Sequence, residues 1–433
     1  MEHELAQELN GILRGTTPEA LLSAMGKRLY FPKGIIAQGA EAKQFSTLAN
    51  GTLGIAVKQK MPLILSALGE QLPGMKAGEI VSYAPTAGIP GLREIWAAEI
   101  RRKNPALGNS SFSLPVVTTG LTAGVSLLAD LFLDEGQTLM AADPSWDNYV
   151  LVAEARRNAR FQPVTMFNEG GLDLPALEAA LSAEAEKTGF VRLLLNFPHN
   201  PTGYSPTVGE ARGICALIRN IAEKGAKVLV ICDDAYFGLR FEEDLEPQSL
   251  FAYLAGLHEN ILAAKIDGST KEDFAWGLRC GFVTFGGKNL SDAHYDALIK
   301  KTMAVIRSTI SCSSTVVQNL LQKMYSSGGD TLQSEKKAYR DLIERRYKKV
   351  RALVDAKKNH PLLRPMPFNS GYFMSFRCAN RNAESLRQKL LRDYGVGTIA
   401  IDERTLRVAF SGLDDECIDE VYALIYRAAE ELG

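Results

Sequence analysis

Between about residues 112 and 325, short apolar, β-rich runs alternate with helical patterns, and this rhythm constrains the fold more than any other feature of the chain. The predicted strands are Pro115–Thr119, Gln137–Ala141, Arg160–Thr165, Val191–Asn196, Lys227–Cys232, Ile261–Lys265 and Gly281–Phe285. Helical stretches such as Ala123–Leu133 and Val208–Lys224 fall between most of them. Strands that are apolar along their whole length must be covered on both faces, and intervening helices supply the cover. The expectation is an α/β fold whose large domain is a mostly parallel seven-stranded sheet between helices. In such a sheet, ligands bind where strands end and helices begin.

After residue 330 the rhythm breaks. A long charge-rich helix is predicted over Leu332–Lys358, then a strand at Tyr372–Phe376, a helix at Ala383–Tyr394, strands at Gly397–Ile401 and Thr405–Phe410, and a last helix at Asp414–Leu432. This reads as a smaller α+β domain. A chain of 433 residues is long for one core, which favours two domains. The division expected is an N-terminal segment, 1–65, packing with the small domain, a large α/β domain, 66–330, and the small domain, 331–433.

Charge and composition exclude several classes. The formal net charge is -1, so no global field draws the chain to nucleic acid or an acidic membrane. No apolar run approaches the roughly 18–20 residues of a membrane helix. The acidic start, Met1-Glu2-His3-Glu4-Leu5, reads against a signal peptide. The six cysteines are widely spaced, with no Cys-x-x-Cys pair, as in reduced cytosolic proteins. A cytoplasmic protein with no metal site is expected.

Several polar motifs follow the strands. Asp267-Gly268-Ser269-Thr270-Lys271 is followed eight residues on by Arg279, in Gly277-Leu278-Arg279-Cys280-Gly281. A lysine there could join an aldehyde cofactor while the arginine holds its phosphate, and a nearby cation would help keep the amine unprotonated. Asp233, in Cys232-Asp233-Asp234-Ala235-Tyr236, could keep a pyridine nitrogen protonated or could simply cap a helix, and Tyr236 could reach a ring oxygen. Asn196-Phe197-Pro198-His199-Asn200-Pro201-Thr202-Gly203 forms a stiff, non-helical loop able to hold the Asn200 amide in place. Thr119, Gly120 and Leu121 join a strand to an apolar helix, where backbone N–H groups can seat a phosphate. This turn is neither Gly-x-Gly-x-x-Gly nor a Walker A loop, so nicotinamide and nucleoside-triphosphate readings are weak. Trp146 could stack on a flat ring or pack on the surface. Arg407, among strand-forming residues, needs a partner, either a substrate carboxylate or a structural one. Tyr83 opens a Pro/Gly loop.

Taken in order from Tyr83 to Ser411, these segments resemble the fold-type I, pyridoxal phosphate (PLP)-dependent aminotransferases of the aspartate aminotransferase-like group. The most specific pieces are Asn200-Pro-Thr-Gly203, Asp233-x-Ala-Tyr236 and Lys271-x7-Arg279-x-Gly281. The resemblance implies that Lys271 is the Schiff-base lysine and proton shuttle. It implies that Asp233 pairs with the ring nitrogen, that Asn200 and Tyr236 meet the ring hydroxyl, and that Trp146 stacks on the ring. Thr119, Gly120, Leu121, Ser269 or Thr270, and Arg279 would hold the phosphate, and Arg407 would clamp the substrate α-carboxylate. Tyr83 would reach the phosphate in a neighbouring subunit's site, which implies a homodimer. Many members carry serine three residues before the lysine, where this chain has Gly268. Aspartate-specific members carry a second arginine; by rough alignment Gln318 or a neighbour falls there, with Arg307 too early, so no aspartate preference is implied. The loop near Asn50-Gly51-Thr52-Leu53-Gly54-Ile55 is a possible substrate contact.

The function implied is transfer of an amino group between an L-amino acid and a 2-oxo acid by ping-pong kinetics. A C–S β-lyase on the same framework is the alternative, since both reactions begin with removal of the Cα proton. A non-catalytic PLP-binding homologue is a more distant one.

Overall fold

The computed structural model describes residues 4–29, 57–58, 61–62 and 74–433, apart from 169, 328, 381 and 414. Its larger sheet has seven strands: β1 Val116–Thr118, β2 Thr138–Asp143, β3 Arg160–Thr165, β4 Phe190–Asn196, β5 Lys227–Asp233, β6 Ile261–Asp267 and β7 Gly281–Gly287. Their spatial order is β1-β7-β6-β5-β4-β2-β3, and only β7 runs against the rest. The central strands are apolar and buried along most of their length, as Val228-Leu-Val-Ile-Cys232 within β5 illustrates, so both faces need helices.

The described helices of ten residues or more are α1 Glu4–Leu13, α2 Pro90–Lys103, α3 Leu121–Phe132, α4 Leu174–Thr188, α5 Val208–Glu223, α6 Asp292–Thr309, α7 Thr315–Ser327, α8 Gly329–Asp355, α9 Ala383–Tyr394 and α10 Ile418–Glu431. Local signals set their ends. Thr207 and Glu210 form a capping box on α5, and α4 runs from the Asp173 cap to Gly189, whose φ of 74° suits glycine. None of the described helices is long and apolar enough to cross a membrane.

The smaller layer is an antiparallel sheet of β8 Leu363–Pro365, β9 Met374–Cys378, β10 Ile399–Ala400 and β11 Thr405–Val408, in the order β8-β9-β11-β10. α8 leads into it, and α9 and α10 pack beside it over buried Phe376, Leu406, Phe410 and Tyr422. β8 was not predicted; three residues ending in proline carry too little strand signal. β2, β6 and β7 each run two residues further than predicted, and at β2 and β6 the extra residues end in the aspartates Asp143 and Asp267.

Residues 4–29 correct one expectation. They pack on the large layer, not the small one. α1 lies against α6, Ser23 Oγ donates to the Asp130 carbonyl at 2.9 Å, and Lys301 Nζ donates to the Lys27 carbonyl at 2.8 Å. Buried Leu9, Leu13 and Leu21 join the core, with α1 against α6 and the Thr17–Leu21 turn against β5 and β6, which explains the choice of layer. The rest of the N-terminal segment, including the 50–55 loop, lies outside the described residues apart from two short paired strands at Val57–Lys58 and Met61–Pro62.

Candidate active site

Asp233 ends β5 and is buried. Its Oδ2 accepts the Tyr149 hydroxyl at 2.6 Å, and its Oδ1 accepts the Ala235 N–H at 3.2 Å. Burial pushes its pKa up, while Tyr149 and then Lys271 pull it down. Turns follow Asp233, not a helix, so the carboxylate is no helix cap. Beside it, Asn196 ends β4 and donates to the Asp233 carbonyl at 2.8 Å. Asn196 Oδ1 accepts the Asn200 N–H at 2.8 Å, and Asn200 Oδ1 accepts Arg407 Nη1, also at 2.8 Å. A relay of three residues thus links the sheet end that carries Asp233 to β11 of the smaller layer.

These groups face a cavity of about 250 Å³. Leu121, Trp146, Asn200, Asp233, Tyr236, Thr270, Lys271, Arg279 and Arg407, all expected at a site, line it together. Thr122, Tyr149, Asn196, Ala235 and Phe373 complete the lining.

Lys271 lies on a single helical turn, Ser269–Glu272, directly after β6. Its Nζ sits 4.6 Å from the centroid of the Tyr236 ring. Burial lowers its pKa; Asp233 opposes that and Arg279 adds to it. Tyr236 is pushed the other way, upward, mainly by burial, so its phenol stays protonated at neutral pH.

At Leu121, Thr270 and Arg279 the cavity wall carries groups able to take an anion. α3 begins at Gly120 with φ 81° and no side-chain cap, leaving its first-turn N–H groups free for a ligand. A side chain at Gly120 would place Cβ 2.5 Å from Arg279 Nη2, so the glycine lets the guanidinium close over the turn. The Ser269 and Thr270 hydroxyls are buried without hydrogen-bond partners. Buried hydroxyls are rarely left unpaired, and two of them beside bare amides and an arginine fit a phosphate.

The Arg407 guanidinium stacks over Phe373, 4.3 Å from the ring centroid. Its Nε has no partner, and Asp147 is the carboxylate whose charge reaches it, without an ion pair among the described residues. Among the described residues, Arg407 therefore forms no salt bridge.

Other expected residues stand apart. Thr119 is exposed, with its hydroxyl 3.4 Å from Ser313 Oγ, and Tyr83 is 73% exposed, away from this cavity. Gln318 is buried and spends its amide internally, accepting from Ile89 N at 2.8 Å and donating to the Ser313 carbonyl at 3.1 Å. It is thus committed to holding the Ile89 turn. Tyr149, Asn196, Thr122 and Phe373 escaped sequence reasoning as site residues. Asn196 carried a usable signal, as the residue ending a buried strand within the quoted motif; Tyr149 and Phe373 carried none.

Comparison with known proteins points the same way. The model of the family "aminotransferase class I and II" matches residues 57–425. A probable N-acetyl-LL-diaminopimelate aminotransferase of Bacillus subtilis is 24% identical over 326 residues, covering 74% of this chain and 73% of that protein. A 2-aminoadipate transaminase of Thermus thermophilus is 29% identical over 270 residues, covering 61% and 59%. Among solved structures, an aminotransferase of Anaerococcus prevotii superposes with a TM-score of 0.73 at 20% identity, over 99% of this chain and 96% of that one. An α-aminoadipate aminotransferase of Thermus thermophilus, complexed with N-(5'-phosphopyridoxyl)-L-leucine, does so with a TM-score of 0.66 at 22% identity, over 98% and 97%.

Proposed function

Because the chain belongs to aminotransferase class I and II, we propose that the cavity at the ends of β4, β5 and β6 holds PLP and moves an amino group between an L-amino acid and a 2-oxo acid. The observation that carries this is the placing of a half-buried Lys271, a buried Asp233 and a half-buried Arg407 around one 250 Å³ cavity whose Ser269 and Thr270 hydroxyls lack partners.

The residues present fit the cofactor. Arg279, the α3 amides and the Ser269 and Thr270 hydroxyls would hold its phosphate. Asp233 would face the ring nitrogen, Asn200 and Tyr236 the ring hydroxyl, and Trp146 the ring face. When bound, PLP supplies an electron sink for the charge left at the substrate α-carbon. Asp233, held by Tyr149 in a site that disfavours a lone charge, gains a cationic partner when it pairs with a protonated nitrogen. Lys271 needs a neutral amine both to join an aldehyde and to take the proton from the substrate α-carbon, and burial beside Arg279 favours that form. The Arg407 fork, already aimed by Asn200, presents its remaining N–H groups to the substrate α-carboxylate.

Two finer points belong to the same reading. The exposed Tyr83 is suited to a second copy of the chain, whose phosphate seat it would reach in a homodimer. Alternation of donor and acceptor at one site would give ping-pong kinetics. A screen of amino donors against 2-oxoglutarate and pyruvate, following the visible absorbance of the loaded protein through single half-reactions, tests the proposal. Amino-group transfer that needs an oxo acid is expected; pyruvate and ammonia released from cystathionine without any oxo acid would replace transfer with elimination.

A further inference from the structure

Two acidic residues follow Lys271 directly, and the cavity uses neither. Glu272 is ion-paired with Lys103 of α2, and Lys336 of α8 stands 3.5 Å from it. Asp273 Oδ1 takes Lys336 Nζ at 2.6 Å, and its Oδ2 takes the Tyr325 hydroxyl of α7 at 2.8 Å. Three residues beyond Lys336, on the same face of α8, Tyr339 meets Phe274 edge-on with 5.1 Å between ring centroids. On the other side of Lys271, Asp267 is held by Lys265 at 3.1 Å and by Trp96 Nε1 at 2.9 Å.

The gripped segment is strained. Phe274 and Arg279 both sit at positive φ, 54° and 53°. Bulky residues persist there only where their surroundings over-determine them. The segment's own backbone bonds are short-range ones: the Asp273 and Ala275 N–H groups share the Ser269 carbonyl at 3.1 and 3.3 Å, the Asp273 and Phe274 N–H groups reach the Lys271 carbonyl, the latter at 3.2 Å, and the Leu278 N–H reaches the Ala275 carbonyl at 3.1 Å. The external grip is therefore a large part of what holds Lys271 in place. It is a buried grip, with the Asp273 side chain fully shielded and that of Lys336 only 16% exposed. Exposed ion pairs hold little, whereas breaking a buried one strands a charge. Burial alone would raise the pKa of Glu272, but Lys103 and Lys336 outweigh it and keep the carboxylate charged.

We propose that Lys336 is a positioning residue: through Asp273 and Glu272 it ties the Lys271 turn to α8, the helix that leads into the sheet bearing Arg407. The aim of Lys271 and the seating of the carboxylate clamp are then set by one connected body. This rests on the functional reading above for the part Lys271 plays, but the tether itself is readable without cofactor or substrate.

The test is amide hydrogen exchange on the cofactor-free protein, comparing wild type with Lys336→Met and Lys336→Arg. In Lys336→Met the Asp273, Phe274 and Ala275 amides are expected to exchange at least about tenfold faster, while those of β5 are unchanged, and Lys336→Arg stays within about threefold of wild type. Once loaded with PLP, Lys336→Met should also slow the half-reaction at saturating donor by about tenfold, with half-saturation shifted less than about threefold. Wild-type exchange at those three amides in Lys336→Met overturns the proposal. Should that variant not fold, Lys336→Met/Asp273→Asn removes the stranded charge; fast exchange is again expected, and wild-type exchange again overturns it. A wild-type protein that transfers no amino group counts against the functional reading, not against the tether.

Discussion

The Tyr149 hydroxyl donates to Asp233 Oδ2 at 2.6 Å across 84 positions of sequence. This bond fixes the buried carboxylate and helps offset the burial that pushes its pKa up. Tyr149→Phe keeps the ring and deletes the donor. Hydrogen bonds to charged groups contribute about 1.5–3 kcal/mol, so the maximal turnover rate should fall roughly 10- to 100-fold. The KM for the amino donor should change little, since the Tyr149 hydroxyl bonds Asp233 and not Arg407. Steady-state kinetics with one donor decides this.

Arg407 offers a planar fork stacked on Phe373 and steadied by Asn200. Lysine cannot reproduce either the stack or the paired donors. Arg407→Lys should raise KM for the amino acid by about 30- to 100-fold, while PLP binding stays near wild type. Titrating cofactor and donor separately checks the split; an equal loss of both would place Arg407 outside the substrate pocket.

His199 is buried in the loop before Asn200, bonded to Thr202 Oγ1 at 2.8 Å, and burial lowers its pKa to about 3. A depressed folded-state pKa gives stability that is present above the unfolded value and lost as pH falls toward the folded one. From an ordinary value of about 6.5, acidification from pH 7 to 5 should cost about 2 kcal/mol through this one group. In His199→Gln the loss over the same window should be smaller by about that amount. Denaturant unfolding at pH 7 and pH 5 measures it.

At Gly203 the backbones of the two layers meet closely. Its φ is 78°, and an added Cβ would lie 1.9 Å from the Phe373 carbonyl oxygen. Its own carbonyl accepts the Asn369 and Ser370 N–H groups at 2.9 and 2.8 Å. Gly203→Ala should destabilise the protein by about 3 kcal/mol or more, and should loosen Asn200 and Phe373 with it. Thermal unfolding gives the first effect, and a raised donor KM in whatever folds gives the second.

The same contacts explain what sequence reasoning reached. The Asn200–Gly203 loop, Asp233–Tyr236 and Lys271–Arg279 are short runs whose chemistry sits within a few residues, so their pattern is visible locally. The parallel sheet was visible because β4, β5 and β6 are apolar on both faces. Tyr149 and Phe373 were not visible, because their meaning comes from Asp233 and Arg407, each brought to them by the fold. The placement of residues 4–29 was missed for the same reason: the apolar stripe of α1 says that it packs, not on which layer. Glu272 and Asp273 adjoin the Lys271 motif but give no local sign of their partners, which α2, α7 and α8 bring from elsewhere in the chain.

The claim on which the rest depends is that Lys271 is the lysine that joins PLP. Borohydride reduction of the PLP-loaded protein, followed by peptide mass mapping, tests it most directly. A pyridoxyl adduct confined to the peptide containing Lys271, and lost together with the visible absorbance in Lys271→Ala, is the expected result. An adduct on another lysine, or cofactor absorbance that survives in Lys271→Ala, would contradict it.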